Sequence, residues 1–219
     1  MAGGGFVADS FDKPWPGIGV GGSLALDFVN TLDWRLRESP VEQLRTYADL
    51  FRWARSAGAL DLAQARTLRA WGEAHPRAAG KALGEALEVR EAIAAVFQAA
   101  ARGGAIPARP LARLESAWRA AWAERTLRPK GRAAAWDWRD ASPAPERPAW
   151  TAALDATRLL TSVERERVRE CGDAQCGWLF LDTSRNRSRR WCTMEGCGNR
   201  NKARSFYRRS VAGRRRAKG

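Results

Sequence analysis

Four cysteines, all in the last quarter of a 219-residue chain, constrain this sequence more than any other feature. They form two C-x4-C pairs, Cys171 with Cys176 and Cys192 with Cys197, separated by fifteen residues. Structural zinc takes four tetrahedral N or S ligands, commonly as two close pairs on separate segments, because a short loop pre-orients each pair. Two disulfides or unliganded thiols are the competing readings. Residues 1–22 lack the basic stretch and apolar run of a secretory signal, and no later segment is apolar for long enough to span a bilayer. The expected location is therefore the cytoplasm, without membrane contact, where thiols stay reduced and a metal is favoured over disulfides. The expected cofactor is one Zn2+ held by Cys171, Cys176, Cys192 and Cys197.

The residues around the cysteines have a readable plan. Val168-Arg169-Glu170 leads into the first pair, and Trp178-Leu179-Phe180-Leu181-Asp182 leads out as a strand, giving a hairpin with a metal knuckle at its tip. Cys197 starts a helix expected to run to about Val211 and to stop at Gly213. Knuckle, hairpin and ligand-bearing helix together describe a treble-clef-like finger. On the helix wheel Ala203, Phe206, Tyr207, Ser210 and Val211 share one side, expected to pack on the hairpin, while Lys202, Arg204, Arg208 and Arg209 spread over the other.

Charge separates this region from the rest. The net charge is +14; residues 164–219 carry 16 Lys/Arg against 6 Asp/Glu, and the preceding 163 residues 22 against 18. Arginine exceeds lysine throughout, which matches the coding bias of a G+C-rich genome, so the asymmetry is more informative than the arginine content. Arg189, Arg190, Arg200, Lys202, Arg204 and Arg208 are the candidate DNA contacts. A protein partner, or a merely solvated basic face, would use the same charges.

The first 163 residues read as mainly helical. Around Leu24, Leu26, Phe28 and Leu32 the apolar period fits helix or strand, and a short helix capped by Ser23 is favoured. Ser39-Pro40-Val41-Glu42 has the form of a capping box, predicting a helix to Ala57 before Gly58. Asp61 caps a second helix to about Glu73, a third runs from about Ala79 to Ala101, Pro107 opens a fourth, and a fifth ends near Ser162. Between the last two, Trp136 and Trp138 alternate with Asp137 after a Pro129-Lys130-Gly131 turn, predicting a hairpin. Residues 1–19 form a glycine-rich leader anchored by Phe11 and Trp15. The fold class is thus mainly α with a small β-hairpin, a helical N-terminal domain followed by the finger.

Cys197-Gly198-Asn199-Arg200 is the signature of the CGNR zinc-finger family, and residues 171–208, with Trp178 to Asp182 and Arg190-Trp191-Cys192, resemble that finger throughout. Leu26-Asp27-Phe28-Val29-Asn30-Thr31-Leu32 is similar to the ABATE domain that precedes it in such proteins. The resemblance implies an ABATE-like domain over residues 20–163, a CGNR finger over 164–212 and a basic tail over 213–219. Proteins of this kind are regarded as bacterial stress-induced transcription regulators, and the resemblance implies that role.

Individual residues admit two readings. Asn199 and Arg200 could read bases or phosphates, or Asn199 could bond main chain beside the metal while Arg200 neutralises thiolates. The structural role is slightly favoured for Asn199. Trp191 reads as a core plug rather than a base-stacking platform, and the N-terminal tryptophans as core rather than a cofactor box. Asp27, Asn30, Thr31 and Arg35 are the one polar cluster of the N-terminal domain suited to a ligand, although caps or a buried network explain them as well. A lone His75 without a nucleophile motif, and a closed four-cysteine site, give no support to an enzyme. The expected function is a zinc-dependent DNA-binding regulator whose N-terminal domain senses a small-molecule effector or mediates assembly. The alternative is an adaptor whose finger docks a protein.

Overall fold

A serine cap starts the first helix. In the computed structural model, which describes residues 14–140 and 143–216, Ser23 is extended and its hydroxyl accepts the N–H of Leu26 at 3.3 Å, starting α1 (Leu24–Val29). Leu26, Phe28 and Val29 are buried, and Phe28 lies 4.7 Å from the ring of Trp53. Asp27 turns back to accept the N–H groups of Gly19 and Gly21 at 2.7 and 2.8 Å. A Cβ on Gly21 would lie 2.8 Å from the Asp27 main chain, so this approach requires glycine. Trp15 is held by a 3.1 Å bond from its indole N–H to Gln43 and packs on the core. Phe11 and Lys218 lie outside the described residues.

The helix expected from Ser39 does not start there. Leu32–Asp33 (β1) pairs antiparallel with Val41–Glu42 (β2), and α2 spans Tyr47–Ser56. Two capping boxes compete in this stretch, and the second, Thr46 with Asp49, wins. The reason is a buried cation. Arg90 is 3% exposed and donates to both carboxylate oxygens of Glu42, at 2.7 and 2.6 Å, so Glu42 must stay beside it in extended chain.

Asp61 and Gln64 form the capping box of α3 (Leu62–Ala74), and Pro76 opens α4 (Pro76–Ala101) at its first turn. α5 (Ala108–Ala123) and α6 (Arg147–Leu160) pack on α4 and on each other. Between them Arg125–Lys130 (β3) and Ala133–Trp138 (β4) form a hairpin. Its turn residues are Gly131 and Arg132, one position beyond the expected turn; Gly131, at φ 60°, supplies the left-handed backbone that a two-residue hairpin turn requires. Trp118 and Trp122 stack at 5.9 Å as their spacing predicts, yet Trp122 and Trp136 are 40% and 47% exposed rather than core.

After a short 3-10 turn at Val163–Arg167, Val168–Glu170 (β5) pairs with Leu179–Leu181 (β6). Alternation along β6 sends its side chains to two cores. Leu179 and Leu181, with Val168, join the apolar core of the helices, whereas Phe180 packs with the four cysteines, Trp178 and Trp191. Asn30, at the end of α1, pairs with Leu179 as a neighbouring strand would, donating to its carbonyl and accepting its N–H at 2.9 Å each. The Leu181 N–H donates to Gly21, and the Arg35 N–H to Cys176. A π-helical turn (Met194–Gly198) leads into α7, Asn199–Arg216, which passes through the expected stop at Gly213. No helix among the described residues is long and apolar enough to cross a membrane.

A candidate metal centre and its basic helix

Each cysteine pair sits in a loop built for it. In the first, the Cys176 N–H donates to the Asp173 carbonyl at 3.0 Å, and the Cys171 N–H to Trp178 at 2.8 Å. Gly177 ends the loop at φ 71°, and a Cβ there would lie 2.8 Å from Leu36, so the knuckle can lie against the β1–β2 loop only with glycine at this position. In the second, the Thr193 hydroxyl accepts the Gly196 N–H at 3.1 Å and starts the π-turn that carries Cys197. All four cysteines are buried, and their sulfurs lie within 4.8 Å of one another. Cys176 is 3.7 Å from Cys192, and Cys192 is 3.5 Å from Cys197. A tetrahedron with Zn–S bonds of about 2.3 Å has S···S edges of about 3.8 Å, so the site fits one zinc ion.

The protonation of the cluster leads to the same conclusion. Hydrogen bonds from Cys176 and Cys192 hold the Cys171 thiol far below its ordinary pKa. The bond to Cys171, together with burial, pushes Cys176 far above its own. Four buried sulfurs thus share protons and do not ionise together unless a cation compensates them. A divalent ion does so, and the tetrathiolate keeps a formal charge of −2. Arg200 answers that charge, with Nη1 at 3.5 Å from the Cys197 sulfur.

Around the sulfurs lies a set of residues absent from the sequence reading. Asp173, fully buried, accepts from Asn201 at 2.8 Å and Arg200 at 3.3 Å and pairs with Arg204 at 3.5 Å. Burial by itself would raise the Asp173 carboxyl, but the Gln175 N–H and these partners outweigh it and hold the pKa below its ordinary value. Asn201, not Asn199, bonds main chain beside the metal, donating to Cys197 at 2.9 Å, while Asn199 is exposed. Arg200 also lies over the ring of Trp34, 4.2 Å from its centroid. Asp173, inside the C-x4-C loop, and Asn201, one residue past the signature, had a positional signal; Trp34, far away in sequence, had none.

The six candidate DNA contacts divide. Arg189 is turned inward: it donates to Trp191 at 3.1 Å, to Val20 at 3.3 Å and to Cys192, and lies over Phe180. Arg200 is likewise engaged at the metal, and Arg204, although half exposed, is tied to Asp173 and Gln175. Arg190, Lys202 and Arg208 are exposed, as are Arg185, Arg187 and Arg209. The apolar side of α7 does not pack on the hairpin; Phe206 and Tyr207 are 67% and 71% exposed. The hairpin has no face left for them, because Leu179 and Leu181 already meet the helices and Phe180 the cysteines. Trp191 is partly buried against the cysteine core, as a plug.

The N-terminal polar cluster is engaged internally. Asp27 caps the glycine turn and Asn30 clamps β6. The Thr31 hydroxyl donates to Phe28 at 2.7 Å and accepts from Arg90 at 3.1 Å. Arg35 donates to Val29 at 3.0 Å and pairs with Glu91. Their shared role is to join α1, the β1–β2 loop, α4 and the finger.

Comparison with known families gives two matches in chain order. Residues 22–163 match the ABATE model, described as "Putative stress-induced transcription regulator", and residues 167–210 match the CGNR zinc finger. No curated protein matches the chain.

Proposed function

Because the chain belongs to the ABATE family and carries a CGNR zinc finger with four cysteines placed for one Zn2+, we propose that it is a zinc-dependent DNA-binding transcription regulator that engages DNA through α7. One observation carries this reading. Among the described side chains, those that bond α7 to the body lie in its first two turns, up to Arg204, while Lys202, Arg208 and Arg209 are in solvent and the helix runs on to Arg216. An exposed cationic helix of this length suits the major groove, about 12 Å wide, and neutralises phosphates there. In this reading the metal fixes the root of the helix, while the helical domain senses an effector or mediates assembly. No catalytic role is assigned.

The test is duplex binding over a range of salt. Replacing Lys202, Arg208 and Arg209 with alanine touches no zinc ligand and none of the bonds around Asp173. Zinc content should persist, and the slope of log affinity against log salt should flatten by about 0.9 for each lost contact. An unchanged slope overturns the reading. The exposure of Phe206 and Tyr207 favours a second one, in which α7 docks a protein through its aromatic side. Partner capture that persists at high salt and is lost on replacing Phe206 and Tyr207 would support it.

A further inference from the structure

The β3–β4 ribbon is the second cationic projection of the molecule. Residues 127–134 are all exposed, so the ribbon stands away from the helices beyond its root. The root is fixed by aromatic contacts, with Trp136 at 4.7 Å from Trp122 and Trp138 at 6.5 Å from Trp150. Residues 125–139 hold five Lys/Arg against the single acid Asp137. Register divides the two faces. Leu127 lies opposite Trp136 and Pro129 opposite Ala134 on one face; Arg128 lies opposite Ala135 and Lys130 opposite Ala133 on the other. Arg128 and Lys130 thus stand opposite alanine methyl groups, with Asp137 as the one acid on their face. Arg128 is steadied by its 3.0 Å bond to the Arg139 carbonyl, and its one acid, Asp137, is 3.5 Å away. Lys130 and Arg132, at the tip, have no intramolecular partner among the described residues.

We propose that this ribbon is a second DNA-contacting element, belonging to the helical domain and separate from the finger. The proposal rests on the reading of the protein as a DNA-binding regulator and adds a second footprint to it. A two-stranded ribbon is one of the two shapes that a DNA groove admits, and its charge sits where a duplex supplies phosphates. Finger and ribbon lie toward opposite ends of α4. Arg102, at its C-terminal end, pairs with Glu170 of the finger hairpin at 2.7 Å, while Ala82, nearer its start, lines a cavity with Ala120 and Trp150 beside the ribbon's root. Along α4 these two anchor points are about 30 Å apart, at 1.5 Å per residue.

The experiment uses the full-length zinc-loaded protein and a Lys130→Ala/Arg132→Ala variant, with duplex titrations over salt, footprinting and sedimentation. Both side chains are exposed at a turn, so folding and zinc content should match the parent. The salt slope should flatten by about 1.8, at about 0.9 per phosphate contact, and the protected stretch should shorten. If the ribbon variant keeps the parental slope and footprint while the α7 variant loses them, the ribbon proposal fails and the finger reading stands. If the α7 variant keeps its slope and the ribbon variant does not, the finger reading fails and the ribbon stands as the DNA element. Altered self-association with an unchanged DNA slope would assign the ribbon to a second copy of the chain and overturn the proposal.

Discussion

The guanidinium of Arg200 lies 4.2 Å from the ring centroid of Trp34, and the same arginine donates to the Cys197 sulfur and to Asp173. A residue of the β1–β2 loop thereby bears on the metal centre and on the root of α7. Trp34 holds this place in left-handed backbone, at φ 53°, and Arg37 stacks on its ring at 3.4 Å. Left-handed conformation is costly for a bulky residue, so surrounding contacts hold it in place.

Trp34→Ala should keep all four zinc ligands and still destabilise the centre. The cation–π contact is worth about 0.5 to 2 kcal/mol, so zinc should pass to a competing chelator severalfold faster. Trp34→Phe should recover part of the difference. Equal transfer rates in parent and alanine variant would show that Arg200 is held by Asp173 and Cys197 alone.

Asp173→Ala removes the buried carboxylate shared by Arg200, Asn201 and Arg204. Residues that orient ligands in this way typically contribute about 10- to 100-fold to metal affinity, so zinc affinity should fall by that order. Competition titration with a chromophoric chelator measures it.

Asp182 is fully buried, and although burial by itself would raise its pKa, bonds from Ser184 and the Arg189 N–H hold it below the ordinary carboxylate value. A depressed folded-state pKa means stabilisation that is complete above the unfolded value, about 3.9, and is lost as pH falls through the folded one. Asp182→Asn should therefore cost most near neutral pH, and its stability curve should converge on the parent's in acid. A difference that stayed constant with pH would mean that ionisation is not the source of the stabilisation.

Glu42→Ala strips the buried Arg90 of its bidentate partner. Breaking such a pair costs about 3 to 5 kcal/mol, and here the low end is expected because Glu91 still accepts from Arg90 at 2.9 Å. Denaturant unfolding would show a lower midpoint, together with weakened pairing of β1 and β2.

Metal removal should reach beyond the finger. The charge step near Glu164 suggests a separable N-terminal domain, yet Val168, Leu179 and Leu181 complete the core of the helices. Each buried aliphatic side chain contributes about 1.5 to 3 kcal/mol, so truncation after residue 163 should leave a chain that melts well below the parent or aggregates. Chelation should likewise lower the main thermal transition. A transition indifferent to both changes would mean that the helical domain holds its core without the hairpin.

Local chemistry accounts for what the sequence alone determined. Cysteine spacing identified the metal ligands, because short loops bring paired sulfurs together whatever surrounds them. Ser23 and Asp61 marked helix starts, because a cap acts within one turn. Where two local signals competed, a distant residue chose between them: Arg90, on α4, keeps Glu42 in extended chain, so the helix waits for Thr46. The roles of the arginines were likewise set by tertiary structure. Arg189 and Arg190 are neighbours of the same type, yet one is turned inward over Phe180 and the other is in solvent, because burial and partners depend on chain that arrives from far away in sequence. Wheel geometry placed Phe206 and Tyr207 on one side of α7, but whether that side is covered depended on whether the hairpin had a face to spare, and folding onto α1 and α4 had already used it.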